Sequence, residues 1–454
     1  MNQSMQLLEG QSPPHSDLRS PNTTNITREV WSEGRSPSTT KSGASEACRG
    51  LWSEGRSPST TKSGASEACR GLWSEGRSPS TTKSGASEAC RGLWSEYYKK
   101  GHMGLANLGN TCFMNTCLQI LNHTYELNDI FLIKKTHINM RKNIEKTPEL
   151  VLVQQWVELQ EIMWKNEGAV SPNKFVHHVQ HLANLKNKEI FTGWAQNDLP
   201  EFLLFFMDCL HTSISREVKM KIRGNEETTT DKMALECYKM LRQVYEKEYS
   251  EIMDLFYGIY VSEIRSTETN KVYSHKPETY FILDLPLPES SANPISLIDC
   301  FDIFTQNEVL DGDNAWLNET TKQKESVNKQ ISFWNLPKIL VISLKRFHSY
   351  GNNKRQDLVT FPLEGLDLSK YVCGYDSEKY VYDLFGICNH MGGVMGGHYT
   401  AFVKHADGNW LHFNDVTCQP IHDLSVLISP KAYCLFYRIK EPKVIGTQGS
   451  GKTS

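Results

Sequence analysis

Apolar positions recur at helical spacing through the first half of residues 101–442 and at strand spacing through the second. Phe113, Cys117, Ile120 and Leu121 share one helical face, so a helix is predicted from Cys112. Residues 150–164 (LVLVQQWVELQEIMW) repeat that spacing. Residues 172–183 follow Ser171-Pro172, a favourable helix start, and 198–211 (DLPEFLLFFMDCLH) form another strongly apolar helix. The polar stretch 223–232 (RGNEETTTDK) reads as a linker before a helix near 233–254. Strand signals then take over: YGIYVSEIRS, TYFILDLPL, KILVISLKRF, YVYDLFGICNH, HYTAFVKH, NWLHFND and AYCLFYRI. Helices followed by strands predict an α+β fold with an antiparallel sheet.

Residues 1–100 follow neither pattern. The unit WSEGRSPSTTKSGASEACRGL fills 31–51, 52–72 and 73–93, letter for letter, and a fourth copy begins at Trp94. Each unit carries only Trp, Leu, Ala and Cys as apolar residues, too few to offset the entropy of ordering the chain. The expectation is a disordered, low-complexity tail over 1–100, a catalytic-sized domain over 101–442, and a flexible C-terminal tail over 443–454. Cys48, Cys69 and Cys90 are one cysteine copied three times, not a metal cluster. The ending Gly-Ser-Gly-Lys-Thr-Ser lacks the strand, spacing and helix of a phosphate loop.

Composition narrows the function classes. Lys+Arg of 49 against Asp+Glu of 52 gives a net charge of −3, so bulk charge does not point to nucleic acid. No apolar run reaches membrane-span length, and the first residues show no secretory pattern. Twelve cysteines are far below the density of a disulfide scaffold, so reduced thiols and an intracellular location, cytoplasmic or nuclear, are expected. Four Asn-x-Thr matches, at Asn22, Asn25, Asn122 and Asn318, are chance matches in that compartment. The oligomeric state is not legible.

Two stretches carry chemistry. In 104–122 (GLANLGNTCFMNTCLQILN), Gly104 and Gly109 permit an irregular approach to a helix beginning at Cys112. A thiol at a helix N-terminus meets unsatisfied N–H groups and the positive end of the dipole, which predicts a favoured thiolate. Asn107 and Asn110 can present amides beside that sulfur, as an oxyanion stabiliser must. Cys117, on the apolar face, reads as a small buried hydrophobe.

In 390–417, Gly392, Gly393, Gly396 and Gly397 surround Met395 and lead into His398, predicting a loop past which an extended peptide can run. His398 opens a strand, Asp407-Gly408 turns it, and a second strand ends at Asn414-Asp415. That hairpin puts His398 and Asn414 at neighbouring strand ends, where Asn414 or Asp415 can fix the imidazole of a thiol-activating base. His177, His178 and His181 read as a solvated helix face; His390 and His412 read as supporting positions.

These residues resemble the ubiquitin-specific protease family. Residues 104–115 (GLANLGNTCFMN) are similar to its cysteine box, 196–202 (QNDLPEF) to its Gln-Asp box, and 336–347 (LPKILVISLKRF) to the strand before its substrate cleft. Residues 396–403 (GGHYTAFV) with 410–415 (WLHFND) resemble its histidine box. The blocks run in the family's order over about 102–441. The resemblance implies a papain-like fold of thumb, palm and fingers, and thiol-dependent hydrolysis after the C-terminal glycine of ubiquitin through an acyl-enzyme thioester. It implies Cys112 as nucleophile, His398 as base, Asn414 as the residue orienting it, Asn107 as oxyanion donor and Asp415 as supporting acid. Asp198, Glu201, Gly396, Gly397 and Tyr399 would meet the ubiquitin tail. The partners implied are ubiquitin and ubiquitinated proteins.

Two points qualify the resemblance. Asp198-x-x-Glu201 is also a helix capping box, a structural reading that competes with substrate binding. The zinc-binding cysteine pairs of many family members align here with Ser266 and Thr269 and with Asn318 and Thr321, and no Cys-x-x-Cys occurs in the chain. No structural zinc and no cofactor is therefore expected, with the fingers held by sheet pairing and packing. A ubiquitin-binding scaffold without turnover, and a protease for a ubiquitin-like modifier, remain the alternatives.

Overall fold

The computed structural model describes residues 26–31, 101–193, 195–289, 294–347, 354–393 and 396–440. The repeats after Trp31 and the tail 443–454 lie outside the described residues. Among the described residues no helix is long and apolar enough to cross a membrane.

The predicted early helices form α1 (Cys112–Asn122), α2 (Glu149–Lys165), α3 (Asn173–Leu185) and α4 (Leu199–Ile214). Every residue of α1 is buried, which makes it the central element and not an amphipathic surface helix. Phe113 meets Phe202 of α4 edge to face at 5.5 Å, and Phe206 is met in the same way by Trp156 at 5.7 Å and Phe175 at 5.3 Å. This aromatic cluster welds α1 to α4 into the helical layer.

The predicted linker before the next helix is shorter than expected. Helix α5 (Thr229–Tyr245) starts inside it because Thr228 and Asp231 form a reciprocal capping box. The single helix expected to 254 is also broken. Arg216 and Tyr249 exchange backbone hydrogen bonds of 2.9 and 2.8 Å, which holds 246–250 out of the helix before α6 (Glu251–Phe256).

The strands are β1 (Thr27–Trp31), β2 (Lys219–Arg223), β3 (Gly258–Ser266), β4 (Val272–Tyr280), β5 (Ile282–Leu285) and β6 (Val327–Asn335). They continue with β7 (Ile339–Leu344), β8 (Val381–Gly393), β9 (Gly396–Lys404), β10 (Trp410–Asn414), β11 (Thr417–Ile421) and β12 (Ala432–Ile439). An eight-stranded palm sheet runs β11-β10-β9-β8-β12-β7-β5, with Leu366–Asp367 beside β8. It is antiparallel except for the parallel edge pair β5 and β7. Helix α1 packs on this sheet in one apolar cluster with Ala401, Val403 and Phe413. The α+β, papain-like expectation therefore holds, with α1 to α4 on one face of the sheet and the helix Leu297–Thr305 in the apolar cluster that holds Leu340, Ile342 and Leu344.

The glycines expected to form a loop are strand positions. Gly392 pairs with Gly397 and Gly393 with Gly396 at the ends of β8 and β9. A Cβ on Gly397 would strike the His390 ring and the Met391 carbonyl, so close packing accounts for that glycine.

A second sheet, in the order β4-β3-β6 and Glu308–Leu310, forms the fingers. A small hairpin of Trp316–Asn318 and Gln323–Glu325 carries one of the zinc-aligned pairs, Asn318 and Thr321. Asn318 Oδ1 accepts from the Thr320 and Thr321 N–H groups at 2.9 and 3.4 Å, and its Nδ2 donates to Glu325 Oε1 at 2.8 Å. Ser266 Oγ accepts from Thr269 N–H at 3.1 Å. These hydroxyls and amides are engaged with their own turns and offer neither thiolate nor imidazole, so the donor set does not fit a zinc ion.

Strand β1 departs from the expected tail. Residues 27–31 pair antiparallel with β2, from Thr27 opposite Arg223 to Trp31 opposite Lys219. Ile26 is buried against Val218, Met220 and Leu241, an apolar anchor that composition over a long window conceals.

Candidate active site

The loop before α1 is built by side-chain amides. Asn107 Oδ1 accepts from the N–H groups of Gly109 and Thr111, at 3.1 and 3.0 Å. Gly109 and Asn110 both take positive φ, at 95° and 59°, which lets the chain turn sharply into the helix. Asn107 Nδ2 then donates to Asp415 Oδ2 at 3.0 Å, and Asn115 Nδ2 donates to Asp415 Oδ1 at 2.8 Å. The Leu105 N–H donates to the Asp415 carbonyl at 2.8 Å. Asp415 thus ties the end of β10 to both sides of the Cys112 turn.

Cys112 opens α1 and is 1 % exposed. Burial pushes its thiol above the ordinary value, and the Asp415 charge adds to that. The Tyr399 N–H, the Gln196 amide and the Phe113 N–H oppose the rise without cancelling it. The favoured thiolate expected from the helix terminus is therefore corrected: desolvation outweighs the N–H groups that face the sulfur.

His398 lies on β9, one residue from the Tyr399 N–H that faces Cys112. Its Nε2 is 2.7 Å from Asn414 Oδ1. A carbonyl oxygen only accepts, so Nε2 carries the hydrogen and Nδ1 keeps its lone pair. The neighbouring strand ends read from the sequence bring these two residues into direct contact.

The capping reading of Asp198 and Glu201 is not what forms. Asp198 sits at the N-cap of α4 in extended backbone geometry, but its side chain does not cap the helix. Its oxygens instead accept from the hydroxyls of Tyr399 and Tyr433, at 3.0 and 3.2 Å. Burial raises the Asp198 carboxyl, the two hydroxyls lower it, and the nearby Glu201 charge raises it again, leaving a net rise. Burial and the Asp198 charge push both tyrosine hydroxyls far up, so they stay protonated donors. Tyr399, expected to contact substrate, is 4 % exposed, and its hydroxyl is engaged by Asp198. Glu201 is exposed on the first turn of α4.

Gln196, Asn115 and Tyr433 join the site without having been assigned roles from sequence. Gln196 Oε1 accepts from the Gly397 N–H at 2.6 Å, and its Nε2 donates to the Gly397 carbonyl. The same Nε2 lies 3.9 Å from Cys112 Sγ. A glutamine two residues before an acidic helix start was the available signal for Gln196. Tyr433 is distant in sequence and had none. Among the described residues no group of three or more His, Cys, Asp or Glu side chains could hold a metal ion.

Comparison with known proteins places the chain in a family. The family model described as ubiquitin carboxyl-terminal hydrolase matches residues 103–437. Ubiquitin carboxyl-terminal hydrolase 2 of Homo sapiens is 34 % identical over 349 residues, covering 76 % of this chain and 56 % of that protein. The Gallus gallus protein of the same name is also 34 % identical over 349 residues, covering 76 % of this chain and 95 % of its own length. The chain thus spans about half the length of the human relative and nearly all of the chicken one. Among solved structures, a SAGA DUB module of Ubp8, Sgf11, Sus1 and Sgf73 bound to monoubiquitin has a TM-score of 0.57 at 24 % identity, covering 83 % of this chain and 74 % of that one. A structure of that DUB module bound to ubiquitin aldehyde has a TM-score of 0.56 at 25 % identity, covering 76 % and 71 %. With the family model spanning most of the chain, the protein belongs to the ubiquitin carboxyl-terminal hydrolase family, as a ubiquitin-specific protease.

Proposed function

We propose that this chain is a thiol-dependent deubiquitinase that hydrolyses the peptide or isopeptide bond after the C-terminal glycine of ubiquitin. The observation that carries the reading is the 2.7 Å contact of His398 Nε2 with Asn414, which leaves Nδ1 as a base beside the strand facing Cys112. In this reaction His398 Nδ1 takes the Cys112 proton and the sulfur adds to the glycine carbonyl carbon. The developing oxyanion accepts a hydrogen bond from the Asn107 Nδ2–H not directed at Asp415. The carbon–nitrogen bond breaks, and the leaving amine takes the proton from His398, leaving a thioester. Water then gives a proton to His398 and its oxygen to the acyl carbon. The carboxylate departs and the thiol is restored.

Asn414 orients the imidazole without adding a charge, and Asp415 holds the oxyanion donor in place. Exposed Glu201, with Asp198 behind it, supplies negative charge for a basic extended tail, while the Gly396 and Gly397 backbone gives that tail room. The similar structures, bound to monoubiquitin and to ubiquitin aldehyde, support ubiquitin as the modifier.

The test is labelling with ubiquitin carrying a C-terminal electrophile, alongside matching probes built on ubiquitin-like modifiers. The expected result is a covalent adduct at Cys112 with the ubiquitin probe, abolished in Cys112→Ala. Absence of any adduct would reject the enzyme reading, and an adduct only with a related modifier would reject ubiquitin as substrate.

A further inference from the structure

The docked strand β1 is the upstream edge of the repeat. Its residues Arg28-Glu29-Val30-Trp31-Ser32-Glu33 recur as Arg49-Gly50-Leu51-Trp52-Ser53-Glu54, Arg70-Gly71-Leu72-Trp73-Ser74-Glu75 and Arg91-Gly92-Leu93-Trp94-Ser95-Glu96. Each lies 21 residues after the one before. An arginine, an aliphatic residue two positions on and then Trp-Ser-Glu are common to all four.

The structure shows what the first copy uses to bind. The strand adds to β2 in antiparallel register. Arg28 Nη1 donates to the Tyr245 hydroxyl at 2.8 Å, and Nη2 lies 3.7 Å from Asp254 Oδ1. The guanidinium also sits 5.4 Å from the Tyr245 ring centroid. Two residues upstream, the Ile26 N–H donates to the Tyr375 hydroxyl at 3.2 Å and the Ile26 side chain is 3 % exposed.

We propose that the groove of β2, Tyr245 and Asp254 is an exchange site, and that the next repeat copy of the same chain, residues 47–52, can occupy it in place of residues 26–31. Strand addition draws affinity from main-chain hydrogen bonds that any sequence supplies, and specificity from alternate side chains. Arg49 stands where Arg28 stands and can make the same contacts with Asp254 and Tyr245, and Leu51 stands where Val30 stands. What changes is the anchor, because Ala47 stands where Ile26 stands. The later copy is thus a weaker tenant, displaced while residues 26–31 are seated and ready when they leave.

Tethering favours this occupant over one from solution. A flexible connection of 48 residues, the number between Trp52 and Gly101, has a root-mean-square span of roughly 35–40 Å, which would keep the segment near at high effective concentration. Residues 68–73 are identical to 47–52 and form a further reserve, whereas only six residues separate Trp94 from Gly101 and constrain the last copy most. Any seated copy pairs β2, whose one strand partner among the described residues is β1, so its backbone groups on that side are not left open to other chains.

Hydrogen exchange on the full chain tests this. The double variant Ile26→Asp with Arg28→Ala removes the first tenant. We expect the amides of Lys219–Arg223 to keep at least about tenfold more protection in that variant than in one that also carries Arg49→Ala, Arg70→Ala and Arg91→Ala. Unchanged protection in α1 and β8 shows that the rest of the fold is intact. Equal loss in both variants overturns the proposal, because the later copies then do not dock. Full protection in both overturns it too, because the groove then does not read arginine. Protection that rises with protein concentration alongside dimer in sedimentation velocity assigns the groove to a second molecule and overturns exchange within one chain.

Discussion

Replacing Asp415 by asparagine isolates one carboxylate at the centre of the site. Asp415 has φ 48°, a left-handed conformation that asparagine tolerates, so the backbone is kept. The carboxylate accepts from Asn107 at 3.0 Å and from Asn115 at 2.8 Å. An asparagine in its place offers one acceptor and one donor end, so one of the two amides must face an NH2 group. A hydrogen bond to a charged group contributes about 1.5–3 kcal/mol, so losing one and weakening the other costs about 2–4 kcal/mol of loop ordering. If attack requires the ordered loop, kcat on a fluorogenic ubiquitin C-terminal amide falls between about 30-fold and 1,000-fold, with KM little changed. The variant carries a second signature of opposite direction. The Asp415 charge pushes the Cys112 thiol up, so its removal moves the pH midpoint of iodoacetamide alkylation at Cys112 downward. A more ionisable but slower nucleophile is the expected pair of results. A kcat within about threefold of the parent, or an upward shift of the alkylation midpoint, would refute the reasoning.

Three further outcomes are expected. Thr228→Ala breaks the capping box of α5 and lowers stability by about 1 kcal/mol in urea unfolding, with kcat unchanged. Asn318→Ala removes the polar clasp of the fingers hairpin and costs about 1–2 kcal/mol in the same assay, whereas a zinc chelator leaves the parent's melting curve in place; a chelator-induced fall would show a metal there. Burial holds His123 down at about 3, burial together with the Lys135 charge holds His137 down at about 4, and burial with the Lys354 charge does the same to His390, against an ordinary 6.5. The unfolded chain therefore binds protons first on acidification, so this contribution to stability is whole above about pH 6.5 and is lost as pH falls toward 4. A urea midpoint that rises over that interval would contradict the assignment.

The parts of the fold legible from sequence are those with strong local periodicity. Helices α1 to α4 and strands β3, β5, β7, β8, β9, β10 and β12 each bury a regular set of apolar side chains. Strands β2 and β6 were missed because charged and polar residues interrupt KMKIR and VNKQISFWN. Other missed elements are those whose reason lies elsewhere. Strand β11 has no buried residue, and its pairing with β10 is its only mark. Strand β4 contains Pro277, which argues against a central strand but is tolerated because β4 is an edge of the fingers sheet. Strand β1 hides beside a low-complexity repeat, and the start of α5 hides in a polar run whose Thr228 and Asp231 bond each other.

The site divides along the same line. Cys112, His398 and Asn414 were legible because each sits in a motif whose local geometry has one chemical use. The contacts of Gln196 and Asn115, which lie inside the quoted boxes, and of Tyr433, which does not, were not legible, since their partners lie across the fold in Gly397, Asp415 and Asp198. The error on Cys112 has the same origin. A helix terminus is a local feature and predicts a thiolate, but burial is a property of the closed fold, and here it leaves the thiol pushed up. In the proposed reaction the thiol proton then needs a base, which places the demand on His398 and on the Asn414 contact that fixes its tautomer.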